Sequence, residues 1–174
     1  MSQNTVYGLV GTSYFQVGGD LPDAPGWIVM QSQRPDAHTY EAPYVAQSDG
    51  TWLLIYNRAA VVDRLNFDFE AAATRATLGW PEFEMQTWTI QTDEARQWTA
   101  AAPADKPLTP FLTQLWTDRA SRGWSEDFSA LVARVLSNNA SFVLATANLL
   151  AIRHSAERDI SAASNPTLVT WSFP

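Results

Sequence analysis

The period of the hydrophobic pattern changes near residue 58, and this change constrains the fold more than any other feature of the chain. Before it, short runs rich in Val, Ile, Tyr and Trp alternate with Gly, Pro and Asp clusters, the pattern of short strands. After it, Ala, Leu, Glu, Arg and Gln take over and apolar residues recur at steps of three and four, the period of an amphipathic helix. The expected fold is α+β: a small N-terminal antiparallel β module (1–57), a helical hairpin or bundle with one long C-terminal helix (58–164), and a C-terminal strand or tail (165–174).

Within the first segment, Val6-Tyr7-Gly8-Leu9-Val10 and Ser13-Tyr14-Phe15-Gln16-Val17 flank Gly11-Thr12 and predict a hairpin. The Pro22-Asp23-Ala24-Pro25-Gly26 cluster resets the chain before the extended run Trp27-Ile28-Val29-Met30. Tyr44 to Gln47 and Thr51 to Tyr56 flank Ser48-Asp49-Gly50, and Asp-Gly between apolar runs marks a tight hairpin turn. The polar stretch between them, Gln31 to Pro43, reads as an exposed loop. A sheet this small is marginal alone.

The first helix is expected over 58–77, with Val61, Val62, Leu65, Phe69, Ala72 and Ala76 on its apolar face. Gly79 stops it, and Pro81 with Glu82 and Glu84 starts another, since Pro suits the first turn and carboxylates suit its positive end. On that second helix Met85, Trp88, Thr92 and Ala95 share one face, with Trp98 close to it, and Gln86, Asp93, Glu94 and Arg96 can face water. Thr109 and Pro110 read as the N-cap and first residue of a third helix that Gly123 closes. Ser125 with Glu126 and Asp127 starts the last helix, which if unbroken to Ala162 spans roughly 55 Å at 1.5 Å per residue. Phe128, Leu131, Val132, Val135, Leu136, Phe142, Val143, Leu149 and Leu150 give it a near-heptad stripe. Asn139, Thr146 and Arg153, spaced by seven, interrupt that stripe. Either they meet water and backbone, or they set the register of a homo-oligomer formed through this helix. Thr167 to Phe173 alternates and predicts a terminal strand, which would add to the N-terminal sheet or to a partner's sheet edge.

Charge and composition narrow the function. Eleven basic and eighteen acidic residues give a net charge of -7, which repels phosphate backbones and anionic lipid heads, so nucleic acid is not an expected partner. The chain has no Cys, which removes disulfides, thiolate metal sites and Cys nucleophiles. The opening Met-Ser-Gln-Asn-Thr lacks a basic and apolar leader, and the longest near-apolar runs are expected to fall far below the roughly 20 residues of a span. A soluble protein made in the cytosol, with no membrane insertion, is expected.

Candidate chemistry is sparse. His38 and His154 lie in different elements, and Arg153 and His154 stand at ion-pair spacing from Glu157. The pairs Asp68/Glu70, Glu82/Glu84 and Glu126/Asp127 occupy helix faces or first turns, where solvation and capping account for them. No nucleophile elbow, phosphate loop, dinucleotide fingerprint or His-Glu-x-x-His is present. No catalytic residue, metal site or cofactor is therefore expected. Aromatic residues are the remaining hint. Trp27, Tyr40, Tyr44, Trp52 and Tyr56 either fill the core of the β module or stack on sugar rings.

Trp88 to Trp98, an aromatic and a Gln leading into Glu94-Ala95-x-x-Trp98, resembles a pattern of bacteriophage tail-fibre assembly and tail-fibre accessory proteins. The similarity continues through Pro107 to Leu112, Arg122-Gly123, Leu131 to Val135, Asn138 to Phe142 and Asp159-Ile160. Trp27 to Pro35 and Tyr44 to Trp52 resemble an N-terminal module of phage tail and fibre proteins. Together these segments cover about three fifths of the chain. Thr89 stands where the pattern usually has Pro, and the ending Trp171-Ser172-Phe173-Pro174 has no counterpart. The resemblance implies a non-enzymatic protein that binds the tail fibre or baseplate, either as a part of the virion tail or as an assembly chaperone in the host cytoplasm. The partner-binding candidates are Trp27, Tyr44, Trp52, Asn139, Thr146, Arg153, Trp171 and Phe173. The alternative function is a carbohydrate-binding receptor module using the N-terminal aromatics.

Overall fold

The structure, a computed structural model, describes residues 4–174. Residues 1–3, which open the expected leader-free N-terminus, lie outside the described residues. Among the described residues five strands precede four α-helices: β1 (Val6–Leu9), β2 (Phe15–Val17), β3 (Trp27–Val29), β4 (Tyr44–Ala46), β5 (Trp52–Leu54), α1 (Arg58–Ala76), α2 (Glu82–Ala100), α3 (Pro110–Ser121) and α4 (Phe128–Ala162). The expected α+β fold is thus present, with small antiparallel sheets followed by helices and one long C-terminal helix. The described chain forms two compact units, residues 4–69 with 152–173, and residues 70–151 with Pro174. The expected boundary at residues 57 and 58 falls inside the first unit, because α1 and α4 each supply a segment to both.

In the first unit, β1 is the centre of a three-stranded antiparallel sheet in the order β2-β1-β3, and β4 pairs with β5. Gly8 on β1 sits where a Cβ would come within 2.7 Å of Met30 Sδ and 2.8 Å of Ala46 Cβ, so only Gly lets the two sheets approach. Gly50 takes the positive φ of 80° that the predicted Asp-Gly turn needs. Asp49 braces that turn by accepting from Thr51 N and Oγ1 at 2.9 and 2.6 Å, which holds its carboxyl below the usual range. Val6, Met30 and Ala46 form the small core of this β module.

Val61 and Leu65 of α1 pack against Ala156 and Ile160 of α4 in the same unit. Arg58 closes the end of α4 by donating to the carbonyls of Ile160 and Ala163 at 3.3 and 2.7 Å, a cation where the helix carries its negative pole. The expected terminal strand is absent. Asn165 Oδ1 instead accepts from Thr167 N and Oγ1 at 3.1 and 2.7 Å and turns Pro166–Leu168 into a single 3-10 turn. Beyond it Val169, Trp171 and Phe173 pack on the α1/α4 cluster while Thr170 and Ser172 stay exposed. The alternation in the sequence is real, but it records burial against helices rather than strand pairing.

In the second unit, Ala95 of α2, Leu112 of α3 and Val132 of α4 make the core, with Trp98, Phe111 and Phe128 around it. Trp98 and Trp116 both meet the Phe128 ring edge-on, at 5.5 and 5.9 Å. Thr109 occupies the N-cap position of α3, yet its hydroxyl makes no cap bond. Glu94, expected to face water, does the capping from α2: its carboxylate accepts from Phe111 N at 3.1 Å and Leu112 N at 2.8 Å. Four helix N–H groups otherwise lack partners, and a carboxylate at the positive end satisfies two of them. Asp127 does the same for α4 through Ala130 N at 2.7 Å, and that bond and the one from Ser129 hold its carboxyl below the usual range.

Candidate docking groove

The helix punctuation that the sequence carries at Gly79 and Pro81 builds one end of a groove in the second unit. Gly79 leaves α1 with φ of 89°, and Trp80 follows it directly. Phe83 comes one residue into α2 and lies off the helix's apolar stripe, 78% exposed. Trp80 meets Trp88 edge-on at 5.5 Å, and Trp88 meets Phe142 of α4 at 5.1 Å. These rings form one wall. Phe111, Leu115 and Arg119 of α3, with Trp124 beyond Gly123, line another part, and the volume enclosed is about 760 Å³. That lies within the roughly 300 to 1,000 Å³ of clefts that take ligands or partner side chains.

The electrostatics are mostly self-contained. Glu126 lies between Arg119 and Arg134, at 3.8 and 2.8 Å, so two of the groove's guanidinium groups share one carboxylate. The Arg119 guanidinium also stacks 3.9 Å from the Trp124 ring. Glu84, in the exposed first turn of α2, is the acidic residue of the lining. Asn138 and Asn139 from α4 and Gln91 from α2 add uncharged polar groups. This mixture of open aromatic faces, fixed Arg groups and amides suits noncovalent recognition of a protein surface.

The predicted partner-binding residues fall in several places. Trp27 sits on β3, opposite Leu9 and half-buried. Tyr44 N donates to His38 Nδ1 at 3.1 Å, and burial followed by the nearby Arg34 charge lowers the His38 pKa. Trp52 packs on the β-module core and donates from Nε1 to Ser32 O at 3.2 Å. Asn139 lines the groove, and Thr146 is half-buried further along α4. Arg153 is taken up in the first unit, donating to Asn66 Oδ1 at 3.1 Å and pairing with Glu157 at 3.4 Å. Trp171 donates to Asp68 Oδ2 at 2.9 Å, and Phe173 meets Phe69 edge-on at 5.9 Å. Only Asn139 of the eight belongs to the groove. Trp80, Phe83, Trp124 and Phe142 line the groove without having been among the partner-binding candidates, and Phe83 carried a signal, as an aromatic residue off its helix's apolar stripe. Known families offer no guide here: no family model, curated protein or solved structure matches the chain.

Proposed function

We propose that the chain is a non-enzymatic bacteriophage tail protein that binds the tail fibre or baseplate through the groove of its second unit. The observation that carries the docking role is the aromatic rim, where Phe83 is 78% and Trp124 is 57% exposed beside Arg119. Trp and Arg dominate binding energies at protein interfaces, and large aromatic faces left in water are a cost that a partner removes. The viral tail assignment rests on the resemblance carried by Trp88 to Trp98 and the segments that follow it. Its place of action is the virion tail if it is a permanent part, or the host cytoplasm if it is an assembly chaperone.

Affinity capture of the tagged chain from infected cells tests this. The expected result is recovery of a tail-fibre or baseplate protein, lost when Phe83 and Trp124 are both replaced by Ala. Mass spectrometry of purified virions then separates the two roles: stoichiometric presence marks a structural component, and absence marks a chaperone. Failure to capture any tail protein, together with absence from virions, would overturn the proposal.

A further inference from the structure

The side of α4 turned away from the groove carries a second pattern. Ala133, Leu136, Ala140, Val143, Ala147 and Leu150 follow one another at steps of three and four, which places them on one seam of the helix with alternating small and large side chains. Val143 is 52% and Leu150 39% exposed, and Ala133, Ala140 and Ala147 are exposed as well. Leu136 is half-buried at the edge of the unit's core. From Val135 to Ile152 there is no charged residue, in a chain where 17% of residues are charged. By length and composition α4 could cross a membrane. The uncharged stretch nevertheless holds Asn138, Asn139 and Asn148, whose amides are costly in hydrocarbon and at ease in a protein interface.

We infer that this seam binds the same seam of a second copy of the chain, antiparallel about a twofold axis. With the axis between Ala140 and Val143, Ala133 faces the other copy's Leu150, Leu136 faces its Ala147, and Ala140 faces its Val143. Every small side chain then meets a large one, as close packing requires. A parallel pairing would set Ala on Ala and Leu on Leu. Because a twofold contact brings a patch against itself, a charged seam would repel its own copy, and this one carries no charge. The flanking positions Ser137, Leu144 and Ala151 on one side and Asn139 and Thr146 on the other are uncharged too. Asn139 and Thr146 thus border the seam, as the sequence spacing allowed. The seam spans roughly 26 Å, and a strip as wide as a helix buries roughly 800 Å² over both copies, the range of weak, reversible complexes.

Sedimentation of the full chain from about 5 to about 500 µM is the test, and mass should rise with concentration from one chain of 19.3 kDa toward two. Val143→Glu, at an exposed site, should remain monomeric throughout with an unchanged helical circular dichroism signal. Since the chain has no Cys, orientation can be read by cross-linking. An oxidised mixture of Ala140→Cys and Val143→Cys chains should give the mixed dimer in several-fold excess over either self-paired product. A wild-type chain that stays monomeric, a dimer that Val143→Glu leaves intact, or preferential self-pairing of Ala140→Cys would overturn the inference. So would a monomer that floats with phosphatidylcholine vesicles, which would assign the face to lipid. None of these outcomes bears on capture of a tail protein by the groove, so the two proposals fail separately.

Discussion

Replacing Glu94 by Ala tests whether α3 is held by a carboxylate from another helix. The side chain accepts from Phe111 N at 3.1 Å and Leu112 N at 2.8 Å, the first N–H groups inside α3. Leu112 is fully buried, so water has little access to its orphaned N–H once the carboxylate is gone. A hydrogen bond to a charged group is worth about 1.5 to 3 kcal/mol net, and a carboxylate at a helix N-terminus adds about 0.5 kcal/mol. Glu94 is itself only half-buried and both bonds share one group, so the lower end applies, for a total of about 2 kcal/mol. With a urea dependence of about 2 kcal/mol per molar, the unfolding midpoint should fall by about 1 M. Tryptophan fluorescence reads it directly, because Trp98 and Trp116 both pack on Phe128 in this unit. Asp93→Ala is the control: it makes the same charge change one residue away, but Asp93 is exposed and 3.9 Å from Arg96, so about 0.5 kcal/mol or less is expected. Glu94→Gln should fall between, keeping one acceptor but turning an amide N–H toward the helix end. If Glu94→Ala and Asp93→Ala lower the midpoint equally, the carboxylate bridge does not hold α3.

Leu65→Ala, at a fully buried site in the first unit, should cost about 3 kcal/mol in chemical denaturation, whereas Trp88→Ala should cost less than a fully buried Trp because its ring forms a groove wall and is only half-buried. His38 has its folded pKa lowered by burial and by Arg34, so the unfolded chain binds the proton first. The stability of the first unit should therefore be full above the unfolded value near 6.5 and decline as pH falls through it toward the folded value, and thermal melts of His38→Asn should lose this dependence between about pH 7.5 and 5. Asp68→Ala removes the acceptor for Trp171 Nε1 and should speed amide exchange of residues 169–173 by about tenfold while leaving α2 and α3 unchanged.

How much was legible in the sequence follows from the distance over which each signal acts. Gly79, Pro81, Pro110 and Gly123 punctuate the chain through their own backbone preferences, and the observed helix ends lie within a few residues of them. The strands at Val6, Phe15, Trp27, Tyr44 and Trp52 were readable for the same reason. Phe69 to Glu70 bears no mark in composition, because α1 continues unbroken while its neighbours change from one unit to the other. The C-terminal segment misled because alternation reports one-sided burial, and Val169, Trp171 and Phe173 obtain that burial from helices instead of a sheet. Glu94 looked solvated because it lies on the polar side of α2, and its partners are 17 and 18 residues ahead. Phe83 lies off the same helix's apolar stripe and opens into the groove. For Glu94 the residue left unexplained by its own helix marks a contact with another helix, and for Phe83 it marks an aromatic face left open to water. The Ala, Leu and Val residues along the outer seam of α4 raise the same question, since a solvated helix face has no need of 18 residues without a charge.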